Sequence, residues 1–194
     1  MARPKQFDRE DALTKAIDVF RKHGYASAST EALLEGIGIG RQSLYDTFGD
    51  KRRLYLEALR RYNSESVSAA LAHVESAPTA LKGIENLLLD YAARKPAEHA
   101  LGCMGINSIC EFGTGDSDVG EINRASGAAL QTVFAKALRK AKAAGEVPES
   151  LQEGDAAQFI LATLAGMKVH AKGGASVPTL KQIARFAIQA LKIG

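Results

Sequence analysis

The sequence predicts an all-α protein of about nine helices, and three observations lead to this prediction. Apolar residues recur at helical spacing along most of the chain, beginning with Leu13, Ala16, Ile17 and Phe20. No segment alternates apolar and polar residues as a half-buried strand would, and no hairpin signal is present. Capping residues and glycines divide the periodic segments into pieces of ordinary helix length.

The first four predicted helices are mostly short, polar and basic, and they are bounded by residues that start or stop helices. A polar side chain before a helix can accept a backbone N–H, whereas glycine ends a helix easily. We expect the first helix between Asp8 and Gly24, the second between Ser29 or Thr30 and Gly36, the third over about 41–48, and a long fourth from Asp50 until it fades near Pro78.

The helices beyond Pro78 are more apolar and predict a larger bundle. One helix is expected over about 98–112, and another long one ends at Gly145. Residues 155–172 are apolar on nearly all sides, so most faces of that helix must be covered. The boundary between the two parts is expected in the fourth helix or in the loop at Pro78.

Composition limits the classes of protein that the chain can belong to. Its 194 residues are 46% hydrophobic and 24% charged, as in globular proteins, and no apolar run approaches membrane-spanning length. The N-terminus is polar and lacks the apolar segment of a signal peptide, so a cytoplasmic location is expected. The formal net charge of +3 is compatible with a nucleic-acid partner without requiring one.

The segment 35–51, EGIGIGRQSLYDTFGDK, contains three glycines that suggest a nucleotide-binding loop at first sight. A dinucleotide fingerprint needs a strand before its glycines, but STEALLE has the period of a helix. The glycines alternate instead of following G-x-G-x-x-G, and GRQS is not the Lys-Ser/Thr end of a P-loop. We therefore expect no nucleotide cofactor, and no other cofactor is indicated.

A helix-turn-helix motif over about 29–48 explains the same residues better. TEALLE forms its first helix, GIGIG its turn and RQSLYDTF its second helix. Leu44 and Phe48 are four residues apart and can pack inward, which leaves polar side chains on the outer face. Side chains of those types contact bases and phosphates in DNA.

Residues 8–60 resemble the DNA-binding domain of the tetracycline-repressor (TetR) family. The resemblance lies in Gly24–Tyr25 and, above all, in the run Leu44-Tyr45-x-x-Phe48-x-x-Lys51-x-x-Leu54. Gly40 departs from the family, which usually has a Ser or Thr cap there. The resemblance implies a DNA-binding domain over 1–60, and a ligand-binding and dimerisation domain over 61–194.

The motif assigns DNA contacts by residue type. Arg41 suits guanine and Gln42 suits adenine, although either side chain can also contact phosphate alone. Lys51 stands at a helix N-terminus, where the helix dipole and the ammonium group both favour a phosphate. The resemblance adds the hydroxyl of Tyr45 as a phosphate contact. The full set of expected DNA-binding residues is Arg41, Gln42, Ser43, Tyr45, Thr47, Lys51 and Thr30, with Arg3 and Lys5 as an N-terminal arm.

The resemblance also implies two tasks for the second domain. Two helices are expected to pair with those of a second copy, through Ile160, Leu164, Gly166, Ile183, Ala187 and Leu191. A small-molecule effector is expected to bind between other helices, with Cys103, Asn107 and Cys110 on one helical face of the pocket wall.

The resulting hypothesis is a ligand-responsive transcriptional regulator, most simply a repressor, that binds a near-palindromic operator as a homodimer. One alternative is a repressor that senses electrophiles or oxidants through Cys103. Another is a helical enzyme or interaction module with an incidental helix-turn-helix. No catalytic triad, acid pair or metal-ligand spacing is apparent, so neither an enzyme nor a metal site is expected.

Overall fold

The computed structural model describes residues 7–193, and these residues form helices joined by short loops without any strand. The all-α prediction is therefore confirmed, while Arg3 and Lys5 lie outside the described residues. The ten helices of the described part are α1 (Arg9–Ser27), α2 (Thr30–Ile37), α3 (Arg41–Phe48), α4 (Lys51–Ser76), α5 (Ala80–Ala92), α6 (Pro96–Leu101), α7 (Met104–Phe112), α8 (Ser117–Ala143), α9 (Glu153–Lys172) and α10 (Val177–Ile193).

Polar caps start the first helices at the predicted places. The Asp11 N–H donates to Asp8 Oδ1 at 2.8 Å, and the Ala32 N–H donates to Ser29 Oγ at 3.1 Å. Asp50 accepts the N–H of Arg53 at 2.8 Å in the first turn of α4. These bonds satisfy N–H groups that have no partner inside the helix.

One predicted helix is interrupted in the structure. Residues 98–112 do not form a single helix, because Gly102 adopts φ 75° and ψ −170° and ends α6. Cys103 then precedes α7 in an extended conformation. A positive φ is readily available only to glycine, so this residue permits the change of direction.

The described chain divides into two compact units. The first contains the residues up to Asn63 together with Cys103–Ile122, and the second contains Ser64–Gly102 and the residues from Asn123 onward. The division at residue 60 remains a prediction about function. The compact units do not divide at residue 60, because α7 and the start of α8 belong to the same unit as the helix-turn-helix.

The core of the first unit centres on the buried ring of Tyr55. Its centroid lies 4.9 Å from those of Phe20 and Tyr25 and 5.6 Å from that of Phe112. Met104, at the start of α7, is buried in the same apolar cluster. The return segment 103–122 therefore completes the core on which the helix-turn-helix rests.

An ion pair joins the start of α4 to the start of α8 within the first unit. The Arg52 guanidinium contacts both Asp116 oxygens, at 2.7 and 3.0 Å, and reaches Asp118 at 2.8 Å. Hydrogen bonding by Arg52 lowers the pKa of Asp116 to about 2, from its ordinary value of 3.8. The pair therefore stabilises the fold above that ordinary value, and its contribution is lost as the pH falls through 2.

The second unit is a bundle in which α10 packs against α5 and α9, and α6 packs against α9. Its buried side chains include Ile84, Phe134, Ile160 and Leu180. None of the described helices is both long and apolar enough to cross a membrane.

Gly83 is required where α5 meets α4. A Cβ atom at Gly83 would lie 2.6 Å from Val74 Cα and 2.8 Å from the His73 carbonyl oxygen. Both neighbours are backbone atoms, so they cannot rotate away as a side chain does. The second unit thus brings two helix backbones into direct contact at this point.

We predict opposite effects of alanine at two glycines of the second unit. Gly83→Ala should lower the free energy of unfolding by about 1–3 kcal/mol, because the added methyl overpacks a backbone contact. Gly127→Ala should raise it by about 0.5–1 kcal/mol, since α8 has open space there and alanine favours a helix. Urea unfolding followed by circular dichroism measures both, and equal stability of the two variants would contradict the close approach.

Candidate nucleic-acid interface

The turn between α2 and α3 depends on a single glycine with positive φ. Gly38 has φ 80° and ψ 35°, and its N–H donates to the Leu34 carbonyl at 2.9 Å, which closes α2. The prediction that the second helix ends at Gly36 is wrong, because Gly36 is helical and α2 continues to Ile37. Glycine at this position makes room for α1, since a Cβ there would overlap Val19 Cγ2.

Helix α3 has an apolar inner face and a polar outer face, as predicted. Leu44 and Phe48 are buried, with exposures of 1% and 5%. Arg41, Gln42 and Tyr45 are exposed. Ser43 and Thr47 on the same helix, and Thr30 at the start of α2, are half-buried. The buried pair fixes the helix on the core, so its other side remains open to a ligand as large as a DNA groove.

Two acidic residues hold the exposed side chains of this face, and the sequence-based assignment omitted both. Arg41 Nη2 lies 2.6 Å from Glu31 Oε1, and Gln42 Nε2 donates to Asp46 Oδ1 at 2.8 Å. Asp46 follows Gln42 by one helical turn and was recognisable from spacing, whereas the Glu31 contact requires the folded turn. Exposed ion pairs contribute only about 0–1 kcal/mol, so DNA can displace them.

Lys51 lies at the N-terminus of α4 beside the turn that follows Gly24. Its Nζ is 4.6 Å from the centroid of the Tyr25 ring and 3.5 Å from the carbonyl oxygen of Ala26. The ring face attracts the ammonium electrostatically while leaving its other side accessible. The Tyr25 ring and the Ala26 carbonyl thus orient the Lys51 ammonium at this helix N-terminus.

The other two cations of the triplet 51–53 have different surroundings. Arg52 is bound to Asp116 and Asp118 and is therefore unavailable to DNA. Arg53 is the more exposed of the two, at 77% of its side chain, and its Nε lies 3.6 Å from Asp50. Sequence reasoning left Arg53 out of the interface, because a run of basic residues does not show which one is paired internally.

The three residues expected to line an effector pocket do not share a helical face. Cys103 lies before α7 and is buried, whereas Cys110 is exposed. Asn107 donates from Nδ2 to the Arg21 carbonyl oxygen at 3.1 Å. All three lie in the first unit, where Asn107 links α7 to α1. An effector pocket at these residues stays a prediction.

Comparisons with known proteins agree with this geometry. Residues 12–58 match the model of the bacterial regulatory proteins, tetR family. YezE of Bacillus subtilis (strain 168), an HTH-type transcriptional regulator, is 35% identical over 149 residues, which are 76% of each protein. ComR of Escherichia coli (strain K12), an HTH-type transcriptional repressor, is 30% identical over 187 residues, covering 94% of this chain and 88% of ComR.

A solved structure extends the comparison to the whole fold. The TetR family transcriptional regulator CifR, a cysteine mutant complexed with 26-bp double-strand operator DNA, superposes with a TM-score of 0.84. It is 30% identical, and the match covers 98% of this chain and 100% of that one.

A helix-turn-helix with an anchored second helix and an exposed polar face defines a DNA-binding transcriptional regulator. The chain belongs to the tetR family of bacterial regulatory proteins. Its relatives are named as transcriptional regulators, so the alternative hypothesis of a helical enzyme or interaction module with an incidental helix-turn-helix is rejected.

We predict opposite effects on DNA binding from the two partners of the Arg41–Glu31 ion pair. Arg41→Ala should weaken operator binding and, if Arg41 contacts a base, reduce discrimination at that base by about 1–3 kcal/mol. Glu31→Gln should strengthen binding, because it frees Arg41 and removes a negative charge near DNA. Anisotropy titrations at one salt concentration, with operator and scrambled DNA, measure both. Wild-type binding by both folded variants would exclude α3 as the recognition helix.

Proposed function

We propose that the protein is a homodimeric transcriptional repressor that binds a near-palindromic operator and is released by a small-molecule effector. The observation that carries the proposal is α3, which buries Leu44 and Phe48 and exposes Arg41, Gln42 and Tyr45. ComR is named a repressor, and CifR was solved with operator DNA, which supports the same role here. Because such an operator lies on the bacterial chromosome, we expect the protein to act in the cytoplasm.

Footprinting on the DNA upstream of the protein's own gene tests this function. A two-fold dimer should protect two half-sites whose centres are about 34–36 Å apart, or a multiple of that distance. Protection should persist with excess scrambled DNA and disappear in Arg41→Ala. Equal affinity for upstream and scrambled DNA would contradict a repressor of that region.

The expected dimer contacts need correction. Ile160, Leu164, Ala187 and Leu191 are buried in the core of the second unit, so they are not available to a partner chain. The family resemblance pointed to these two apolar helices, but their apolar pattern does not distinguish a chain's own core from an interface. Of the expected set, Gly166 and Ile183 are half-buried and remain accessible.

A different side of α9 and α10 is suited to a second copy. Phe159 and Val169 on α9 are 42% and 56% exposed, and Phe186 and Ile193 on α10 are 73% and 72% exposed. Large apolar side chains exposed on adjacent helices mark interaction surfaces. We therefore assign the dimer interface to this exposed side, with Gly166 allowing close approach.

A buried histidine supports an effector site in the second unit. His99 on α6 is 6% exposed, and neither of its ring nitrogens has a hydrogen-bond partner among the described residues. Its ring packs edge-on against Tyr91 at 5.2 Å. A buried polar group without a partner is costly, so we propose that an effector with a hydrogen-bonding group pairs with His99.

Burial argues against the alternative in which Cys103 senses electrophiles, although Cys103 stands at the N-terminus of α7. Reactive thiols need access to solvent, and Cys103 is buried while Cys110 is exposed. We therefore place the effector site beside His99 rather than at Cys103.

We predict that Gly166→Leu and Phe186→Ser each convert the dimer to a monomer without loss of helix. A Cβ atom at Gly166 has no atom of its own chain within 4 Å, so we expect leucine there to clash with a partner. Gly154→Leu is the matched control, because it has the same open space but precedes the exposed apolar residues of α9. Sedimentation velocity at micromolar concentration distinguishes the states, and a monomeric wild type would contradict the interface.

We predict that Lys51→Ala weakens binding about equally for operator and non-operator DNA. The loss of one phosphate contact should reduce the salt slope of binding by about one unit. Anisotropy titrations over a range of KCl concentrations measure that slope. An unchanged slope would mean that Lys51 does not contact phosphate.

A further inference from the structure

A carboxylate of the first unit binds two adjacent backbone N–H groups near the DNA-binding face. Gly24 interrupts α1 with φ 74° and ψ −177°, and the backbone then presents the N–H groups of Tyr25 and Ala26 to Glu111. The Tyr25 N–H donates to Glu111 Oε2 at 2.8 Å, and the Ala26 N–H donates to Oε1 at 2.6 Å. Each oxygen thus takes one donor in a short, charge-assisted bond.

Neighbouring contacts restrict where this carboxylate can lie. A Cβ atom at Gly24 would stand 3.0 Å from Glu111 Oε2, so glycine gives the carboxylate room as well as the positive φ. On the same helix, Asn107 donates to the Arg21 carbonyl oxygen, and Phe112 packs 5.4 Å from the Tyr25 ring. Helix α7 is therefore attached to the end of α1 at three points.

The two residues that donate to Glu111 are the same two that hold Lys51. The Tyr25 ring lies 4.6 Å from Lys51 Nζ, and the Ala26 carbonyl oxygen lies 3.5 Å from it. Ala26 thus donates to Glu111 through its N–H and faces Lys51 through its carbonyl. A shift of this turn displaces both groups that orient the ammonium.

We propose that Glu111 is a positioning residue for operator binding, which fixes the Tyr25–Ala26 turn and so places the Lys51 ammonium for its phosphate contact. The proposal rests on the proposed function, since it requires that Lys51 contacts DNA. It assigns a DNA-binding task to α7, which lies far from the helix-turn-helix in sequence.

If Glu111 acted only through its charge, its removal would change DNA affinity in the direction opposite to the one that the proposal predicts. The sign of the change therefore distinguishes the two explanations. Glu111 is an exposed negative charge in the DNA-binding unit, so its neutralisation should strengthen binding to phosphates if it acts only as a charge. Under the proposal, neutralisation weakens binding, because the NH₂ group of glutamine would face one of the two N–H groups as a second donor and could not accept it. Glu121 on α8 is an exposed carboxylate of the same unit and serves as the charge-matched control.

The experiment measures operator affinity against KCl concentration for the full chain and its variants Glu111→Gln, Glu111→Asp, Glu121→Gln, Lys51→Ala and Lys51→Ala/Glu111→Gln. Glu111→Gln should bind about fivefold more weakly with a salt slope shallower by up to about one unit, approaching that of Lys51→Ala. Glu121→Gln should bind as wild type or more tightly. The double variant should be no weaker than Lys51→Ala, because both changes remove one contact.

Glu111→Asp separates geometry from charge and also serves if Glu111→Gln fails to fold. It keeps the charge but is shorter by one carbon, so it should weaken binding as well. Binding of Glu111→Asp at wild-type strength, or losses that add in the double variant, would overturn the proposal. If Lys51→Ala binds DNA normally, Lys51 does not contact phosphate. If Glu111→Gln binds weakly in that case, Glu111 does not act through Lys51, and the positioning role is overturned as well.

Discussion

The packing of the Tyr55 ring is the interaction on which the first unit depends. Tyr55 is buried at the centre of the aromatic rings of Phe20, Tyr25 and Phe112. These rings come from α1, from the turn after Gly24 and from the end of α7. Burial and the charge of Glu111 raise the pKa of Tyr55, so it remains a neutral ring at the centre of the core. The helix-turn-helix therefore rests on a core that residues 1–60 alone do not complete.

The arginines of the first unit differ in how firmly their carboxylate partners hold them. Arg52 contacts two carboxylates, one of them through both oxygens, and this geometry holds the start of α4 in place. Arg41 has a single exposed partner, Glu31, in a pair worth about 0–1 kcal/mol, whereas a bidentate base contact is worth about 1–3 kcal/mol. DNA can thus take Arg41 from its partner, while Arg52 remains in the fold.

Contacts between residues close in the sequence could be predicted from it, whereas contacts between distant residues could not. Caps such as Ser29 and the inward pair Leu44 and Phe48 depend on spacings of a few residues, and the structure confirms them. In α9, by contrast, Ile160 is buried and its neighbour Phe159 is exposed, although both read as apolar residues of one helix. Pattern alone cannot say which surface covers each face, so the interface was assigned to core residues. Glu111, which accepts the Tyr25 and Ala26 N–H groups, likewise could not be predicted, because it lies far from them in the sequence.

The position of α7 in the chain gives the Glu111 contact a further consequence for regulation. The chain passes from the second unit into the first at Gly102–Cys103, directly before α7, and Glu111 lies near the other end of that helix. The His99 site proposed above lies on α6, three residues before that crossing. Allosteric coupling typically amounts to about 1–3 kcal/mol, or about 5–150-fold in affinity. Under the proposed function, a coupling of that size would need only a shift of the turn that holds Lys51, without the unfolding of any helix.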